Sequence, residues 1–219
     1  MSSKISNQVV SKKRVNDHGE VFTGEREVND MLNLVKQETE RIDSRFLEPA
    51  CGTGNFLIEI LKRKLDIVEK RYAKSQIEFE RYAVIAISSI YGVDILQDNV
   101  EACRKRLFDF FNTKYLLLYK KKCKEEFRKA VGFILGRNIL WGDALSLKTP
   151  DTKAEPIIFS EWSAVNGSMI KRRDYTMANL LESQPLEGFN LFSDLGDQAF
   201  IPMPIADYPV VHFMKIGQV

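Results

Sequence analysis

The stretch LEPACGTGNFL, residues 47–57, decides the fold. An apolar run ends at Glu48 and Pro49, two glycines then bracket a threonine, and a second apolar run begins. Proline ends a short buried strand, and glycine supplies the positive φ angles of a tight turn. In an open α/β sheet, ligands bind at the turn that joins a strand to the following helix. The stretch therefore predicts a ligand-binding turn after the first strand.

The loop sequence excludes a P-loop and disfavours a dinucleotide loop. A P-loop has a lysine directly after its last glycine, whereas Asn55 follows Gly54 here. A dinucleotide loop has a third glycine three residues after the second, and this position is Leu57. Gly52 and Gly54 are also compatible with a purely structural turn, so the ligand must be inferred from other parts of the chain.

The rest of the chain predicts an α/β fold with a mainly parallel sheet, because strands and helices alternate. Asp98 and Glu101 form a capping-box pattern that opens a long helix, and Gly136 is predicted to end another. The predicted strands are residues 44–49, 90–95, 138–145 and 156–162, and the predicted helices are residues 27–41, 56–73, 76–88, 98 onward and 125–136. Helical spacing predicts that both amphipathic helices bury Val100, Cys103, Leu107, Phe111, Phe127, Val131 and Ile134.

The polarity and the turn-residue content of the chain predict its domain organisation. Residues 1–19 are polar and are predicted to be a flexible N-terminal arm, and residues 20–219 are predicted to form a single domain. Its last part, residues 163–219, is rich in turn residues and is predicted to be irregular. A short helix capped by Asp174 or Thr176 and a final strand within VVHFMKI are expected there.

The composition, 44% hydrophobic and 28% charged, is that of an ordinary globular protein. A net charge of +2 does not by itself indicate nucleic-acid binding. Basic runs at residues 12–14, 62–64, 119–124 and 171–173 are either solvated helix faces or, if they converge on one surface, phosphate contacts. The three cysteines lack metal-site spacing, so no metal is predicted and the thiols are expected to be reduced. Without a signal-peptide core or an apolar stretch of bilayer length, a cytoplasmic protein with no membrane partner is expected.

Acidic residues at the ends of the first three predicted strands narrow the choice of ligand. Glu48 ends the first strand, Asp94 the second, and Asp143 lies just past the third. Asp94 is placed to accept both ribose hydroxyls, and Asp143 to accept from an adenine amino group. Three carboxylates on one rim repel a pyrophosphate but suit adenosine joined to a cationic amino-acid tail. This combination favours S-adenosylmethionine.

Four segments resemble bacterial adenine-specific DNA methyltransferases of restriction–modification systems, including their M subunits. LEPACGTGNFL is similar to that family's cofactor motif, and GEVFTGEREVNDML, residues 19–32, resembles the motif upstream of it, although Gly24 replaces the usual proline. GVDILQDNVEACRKRL and NILWGDAL resemble the ribose-side and adenine-side motifs. The resemblance covers residues 14–150 and implies a Rossmann-like S-adenosylmethionine-dependent methyltransferase fold. The cofactor-binding residues that it implies are Phe22, Thr23, Glu48, Ala50, Gly52, Gly54, Asn55, Phe56, Asp94, Ile95, Asp143 and Ala144.

The family's catalytic tetrapeptide is absent. In these enzymes, Asn, Asp or Ser followed by Pro-Pro and an aromatic residue ends the fourth strand; it accepts the amine hydrogens of the target adenine, and the aromatic ring stacks on the flipped base. This sequence has no Pro-Pro dipeptide and has SEWS at residues 160–163. Ser160 and Glu161 are the candidate acceptors and Trp162 the candidate stacking residue, with ordinary strand packing of Trp162 as the alternative.

The resemblance implies an adenine-specific DNA methyltransferase or its M subunit, which transfers a methyl group from S-adenosylmethionine to an adenine amino group in DNA. The alternative is a catalytically inactive cofactor-binding or regulatory subunit that pairs with an active methyltransferase. A partner methyltransferase, a specificity subunit and a second copy of the chain all stay open as partners. The chain after Ser163 is short for the family's later strands, so a reduced C-terminal half is expected. A small-molecule or protein methyltransferase is a third hypothesis.

Overall fold

The computed structural model describes Arg14, residues 23–182 and residues 203–218. The expectations for Phe22 and for most of the N-terminal arm lie outside these described residues. The helices are α1 (Glu25–Leu34), α2 (Lys36–Thr39), α3 (Asn55–Tyr72), α4 (Gln76–Ser88), α5 (Gln97–Tyr119), α6 (Glu125–Asn138) and α7 (Met177–Glu182). The strands are β1 (Phe46–Glu48), β2 (Ile90–Asp94), β3 (Ile139–Trp141), β4 (Ile158–Ala164), β5 (Met169–Thr176), β6 (Ala206–Asp207) and β7 (Val211–His212), and 3-10 helices span Lys120–Lys122 and Phe213–Gln218.

Strands β1, β2 and β3 form a parallel sheet in the order β1-β2-β3. In the register of this sheet, Glu48 lies opposite Gly92, and Asp94 lies opposite Trp141. The carboxyl ends of the three strands therefore meet at one edge. Gly92 is required in the middle of β2, because a Cβ atom there would lie 2.8 Å from Leu57 Cδ1 and 3.0 Å from Cys51 Sγ.

The main core lies between this sheet and helices α1 and α3–α6. All of the core positions predicted for the two amphipathic helices are confirmed, each with 0–1% exposure. Aromatic rings dominate the centre: Phe111 and Tyr115 stack with centroids 5.7 Å apart, and Phe127 meets Tyr115 edge to face at 5.1 Å. Contacts of this kind add to the free energy gained by burying the rings.

The structure corrects both predicted helix boundaries. Helix α5 begins at Gln97, and Asp98, as the second residue of the helix, forms an ion pair with Arg14 in place of a capping box. Gly136 lies inside α6, and its carbonyl accepts a hydrogen bond from Arg104 Nη2 at 3.1 Å. Tertiary partners therefore override local capping signals at both places.

The predicted helix at residues 27–41 is also divided. It ends at Leu34 and resumes at Lys36, because Val35 has φ −118° and ψ 33°. Val28 and Leu32 are buried as the helical spacing suggests, whereas Met31 is 55% exposed.

The fourth predicted strand exists but does not extend the parallel sheet. Strand β4 pairs antiparallel with β5 along its whole length, and β5 also pairs with β6 and β7. Val93 of the first sheet packs on Ile157 and Phe159, which joins the two sheets. Within the described residues, β1 is consequently an edge strand, and its Leu47 is 45% exposed where a buried strand was predicted.

Strand β5 lies in the stretch that was predicted to be irregular. Two of its charged residues, Arg172 and Asp174, are buried and paired: Asp174, 3% exposed, accepts hydrogen bonds from Arg172 Nη2 at 2.6 Å and from Arg137 Nη2 at 2.8 Å. Asp174 is thus an ion-pair partner and not a helix cap. Thr176 is the cap of α7, because its Oγ1 accepts a hydrogen bond from the backbone N–H of Asn179 at 3.2 Å. The final strand is limited to Val211–His212.

The basic runs are mostly paired within the fold. Lys62 forms an ion pair with Glu59, and Arg173 forms one with Glu161. All four side chains are partly exposed. Lys64 is fully buried. Neither run is the solvated helix face that was one of the two alternatives, because Lys64 is buried in the core and residues 171–173 lie on strand β5. Within residues 23–182 and 203–218, no helix is long and apolar enough to cross a bilayer.

Lys64 reaches from α3 to the residues that precede β1. Its Nζ donates to Ile42 O at 3.2 Å, to Ser44 O, and to Ser89 Oγ at 2.5 Å, and the whole side chain is buried. Burial lowers the pKa of this ammonium group to about 7. The amine is therefore half neutral near pH 7 in the folded protein.

We expect this pKa to make the fold more stable as the pH rises from about 7 to about 10. Over that interval the unfolded chain still binds a proton at Lys64 and the folded chain does not, so the free energy of unfolding gains up to about 1.4 kcal/mol per pH unit. Urea unfolding at pH 7 and pH 9 measures the slope, and Lys64→Met should remove it. Parallel pH profiles for the two proteins would contradict the assignment.

Candidate functional site

A crevice of about 610 Å³ opens at the carboxyl ends of β1, β2 and β3. This is the edge at which α/β sheets bind ligands, and the volume lies within the usual range of small-molecule sites. The crevice is lined by Thr23, Glu48, Pro49, Ala50, Cys51, Gly52, Asn55, Phe56, Asp94, Ile95, Leu96, Asn99, Gly142, Asp143, Ala144 and Leu145.

The sequence-predicted cofactor residues converge on this crevice. All of those in the described part of the chain line it except Gly54, which packs against Cys103 of α5. Gly54 has φ +86°, and a Cβ atom there would lie 2.6 Å from Cys103 Sγ. It is therefore required both for the backbone conformation and for the close approach of the loop to α5.

Short backbone hydrogen bonds fix the glycine loop to the sheet. The Cys51 N–H donates to Val93 O at 2.9 Å, and the Gly54 N–H donates to Cys51 O at 2.8 Å. Gly52, with φ +51°, then presents its own N–H to Asp94 Oδ2 at 2.8 Å. The loop is thus preorganised around the end of β2.

Asp94 is the central polar residue of the crevice and is only 7% exposed. Besides Gly52, its carboxylate accepts hydrogen bonds from the Leu96 N–H at 2.9 Å and from Asn99 Nδ2 at 3.2 Å, both at Oδ1. A carboxylate offers about four lone-pair sites, so these bonds fix its position and leave acceptor capacity toward the crevice.

Glu48 and Asp143 sit in different electrostatic environments. Burial raises the pKa of Glu48, and a hydrogen bond from the Ala50 backbone only partly opposes this rise. The pKa of Asp143 is lowered, chiefly by the backbone N–H of Leu145, which donates to Oδ1 at 2.9 Å, and then by Ser146. Asp143 is therefore a stable anionic acceptor, whereas the charge of Glu48 would be favoured by a cation in the crevice.

Asn55 ties the upstream segment to the loop. Its Nδ2 donates to Thr23 O at 2.8 Å, and its Oδ1 accepts from Arg106 Nη1 at 2.6 Å. Arg106 also donates to Thr53 O at 3.3 Å. Residue 23, the start of α3 and the middle of α5 therefore meet at one wall of the crevice.

Three features in or beside the crevice were not predicted. Trp141 holds the Ile95 segment in place, because its Nε1 donates to Ile95 O at 2.9 Å. Leu145 and Ile95 both line the crevice and are 95% and 44% exposed. Asn99 lies in the first turn of α5, five residues after Asp94, the last residue of β2. Trp141 and Asn99 both lie inside the motif segments NILWGDAL and GVDILQDNVEACRKRL, and that position was the available signal for them.

The catalytic candidates lie elsewhere. Ser160 is fully buried and donates to Asp174 Oδ1 at 2.7 Å, and Trp162 Nε1 donates to Asn138 Oδ1 at 2.9 Å. Both side chains are therefore held in the packing between β4, β5 and α6. Glu161 forms an ion pair with Arg45 at 2.7 Å beside a separate cavity of about 440 Å³. None of the three lines the crevice at the strand ends.

Comparison with known proteins identifies the chain. The family described as "RMKL-like, methyltransferase domain" matches residues 30–142, which are just over half of the 219 residues. A Methanocaldococcus jannaschii protein named "Putative type II restriction enzyme and methyltransferase RM.MjaORFECS2P" is 27% identical over 110 residues, or 46% of this chain and 9% of that protein. The match thus covers less than a tenth of the length of this relative. From the family match and the parallel sheet, we conclude that the chain belongs to the RMKL-like methyltransferase domain family and has a Rossmann-like S-adenosylmethionine-dependent methyltransferase fold.

Proposed function

We propose that this chain forms the cofactor-binding part of an S-adenosylmethionine-dependent methyltransferase that modifies adenine amino groups in DNA, as the enzyme itself or as an M subunit. The observation that carries the proposal is the convergence of Glu48, Asp94 and Asp143 with the glycine loop on one crevice. The DNA substrate is supported by the four motifs and by the name of the archaeal relative. A cytoplasmic location belongs to the same proposal.

The hydrogen-bond acceptors of the crevice fit an S-adenosyl cofactor. Asp94 would accept hydrogen bonds from the ribose hydroxyls, and Asp143 would accept one from the adenine amino group. Glu48 would accept one from the ammonium of the amino-acid tail. When bound, S-adenosylmethionine supplies an activated methyl group. The chain's own contribution is to orient that methyl group for direct attack by the adenine amine, so positioning would provide most of the rate enhancement.

The role given to Glu48 can be tested with two ligands. Glu48→Gln should weaken S-adenosylhomocysteine binding about tenfold, because a charge-assisted hydrogen bond to the ammonium is lost. 5′-Methylthioadenosine lacks the amino-acid tail, and calorimetry should give the same Kd for it with either protein. Equal losses for the two ligands would place Glu48 elsewhere in the site.

A cofactor-binding or regulatory subunit is the second candidate function. It is favoured because Ser160 and Trp162 are held in structural packing and Glu161 is paired with Arg45. No Pro-Pro dipeptide is available to replace them. In this case the residues that hold the target base would come from a partner chain.

Methyl transfer from radiolabelled S-adenosylmethionine decides between these functions. The acceptors should include unmethylated duplex DNA, RNA and total protein, each with the chain alone and with the products of neighbouring genes. Incorporation into adenine of DNA by the chain alone supports the enzyme. Incorporation only with a partner supports the subunit, and incorporation only into RNA or protein overturns the DNA assignment.

A further inference from the structure

Asn99 lies between Arg14 and the carboxylate at the centre of the crevice. Its Nδ2 donates to Asp94 Oδ1 at 3.2 Å, and its Oδ1 accepts from Arg14 Nη2 at 3.2 Å. Asn99 is 4% exposed, so neither amide atom is freely solvated. The three side chains form a continuous chain of hydrogen bonds from a residue ahead of the domain's first described helix to the proposed ribose acceptor.

The chemistry of the two outer residues fixes the direction of this chain. A guanidinium group only donates hydrogen bonds, and an ionised carboxylate only accepts them. The Asn99 amide must therefore point its oxygen at Arg14 and its nitrogen at Asp94. The reverse orientation would place two acceptors against each other and two donors against each other. Without Arg14, the reverse orientation of the Asn99 amide would no longer place two donors against each other.

Arg14 is itself held firmly. It contacts both carboxylate oxygens of Asp98, at 2.5 Å from Nη1 and 3.3 Å from Nη2, and its side chain is only 24% exposed. Asp98 Oδ1 also accepts the backbone N–H of Asn99 at 3.0 Å. A bidentate arginine–carboxylate pair is geometrically specific, so Arg14 fixes the first turn of α5 together with the Asn99 side chain.

We propose that Arg14 and Asn99 act as positioning residues for Asp94, so that the affinity of the crevice for an S-adenosyl ligand depends on an arginine that does not line it. The inference rests on the proposed function, since it assigns ribose recognition to Asp94. It predicts that most of the effect of Arg14 on ligand affinity passes through Asn99. The two residues should therefore be energetically coupled.

The test is a double-mutant cycle read by calorimetric titration with S-adenosylhomocysteine. Arg14→Met and Asn99→Ala should each weaken binding about tenfold, the typical effect of losing one hydrogen bond to a charged group. The double variant should bind no more weakly than Asn99→Ala alone. Arg26→Met is the matched control, because Arg26 is 89% exposed and pairs only loosely with Asp30, at 3.8 Å. Thermal unfolding without ligand checks that each variant is folded.

Two results would overturn the inference: binding by Arg14→Met within about twofold of wild type, or a fully additive loss in the double variant. If a substitution of Arg14 to methionine unfolds the protein, Arg14→Lys keeps the charge and tests the bidentate contact alone. Failure of the proposed function gives a different result, because the wild-type chain itself would then not bind S-adenosylhomocysteine.

Discussion

Replacing Asp94 with alanine is expected to weaken S-adenosylhomocysteine binding by about 100-fold or more, which corresponds to roughly 3 kcal/mol. The substitution removes the proposed ribose acceptor. It also removes the acceptor for Gly52 N–H, so the glycine loop loses its link to the end of β2. Isothermal titration calorimetry of the wild type and the variant measures the difference directly.

A second variant of Asp94 separates ribose recognition from the positioning of the glycine loop, and a distant aspartate serves as its control. Asp94→Asn keeps one acceptor oxygen for Gly52 but loses the charge, so an intermediate loss is expected. Asp109→Asn is the matched control, because Asp109 lies further along α5, is 55% exposed and forms a surface ion pair with Lys105. Binding by folded Asp94→Ala within about threefold of wild type would contradict the assignment of the ribose site.

Replacing Asp174 with alanine is expected to lower the free energy of unfolding by about 3–5 kcal/mol, because it leaves the buried guanidinium group of Arg172 without its counter-ion. Asp174 accepts hydrogen bonds from Arg172, Arg137 and Ser160 within 2.6–2.8 Å. Although burial raises the pKa of Asp174, the hydrogen bonds from Arg172 and Ser160 lower it overall. The ion pair is therefore formed at neutral pH and is lost only as acid protonates the carboxylate.

Chemical denaturation of Asp174→Ala and Asp207→Ala tests this expectation. Asp207 lies on the same sheet, is 49% exposed and pairs with Lys171, so its removal should cost less than about 1 kcal/mol. Affinity for S-adenosylhomocysteine should be unchanged in both variants while they are folded. Equal stability losses in the two proteins would show that the buried network contributes no more than a surface pair.

The cofactor half of the site was predictable because it depends on strand ends. Parallel strands bring their carboxyl ends to one edge, so acids that follow successive strands converge whatever the helices do. The positions of Glu48, Asp94 and Asp143 needed only the order of the strands, and the structure brings all three to one crevice.

Sheet membership was not predictable from local pattern. The apolar run that ends in Trp162 reads as a strand in either sheet, and only pairing with β5 decides its direction. Strand β5 itself was missed because its charged residues, among them Arg172 and Asp174, suggest a surface loop. They are buried only because they neutralise each other, and this pairing depends on Arg137 from a distant helix.

The helix boundaries failed for a related reason. Capping rules describe how a chain satisfies its own backbone, and here distant side chains intervene. Arg14 pairs with Asp98 over 84 residues of sequence, and Arg104 binds the carbonyl of Gly136. Neither contact can be predicted from neighbouring residues, because its two partners are far apart in the sequence.

The contact between Gly54 and Cys103 makes the alkylation rate of this thiol a measure of how often the glycine loop separates from α5. The sulfur is fully buried, and Gly54 lies against it, so an alkylating reagent can reach it only when loop and helix separate. The labelling rate therefore reports how often that separation occurs, and half-buried Cys123 offers an internal reference within the same chain. Any ligand that binds only the closed crevice must slow that rate in proportion to its saturation.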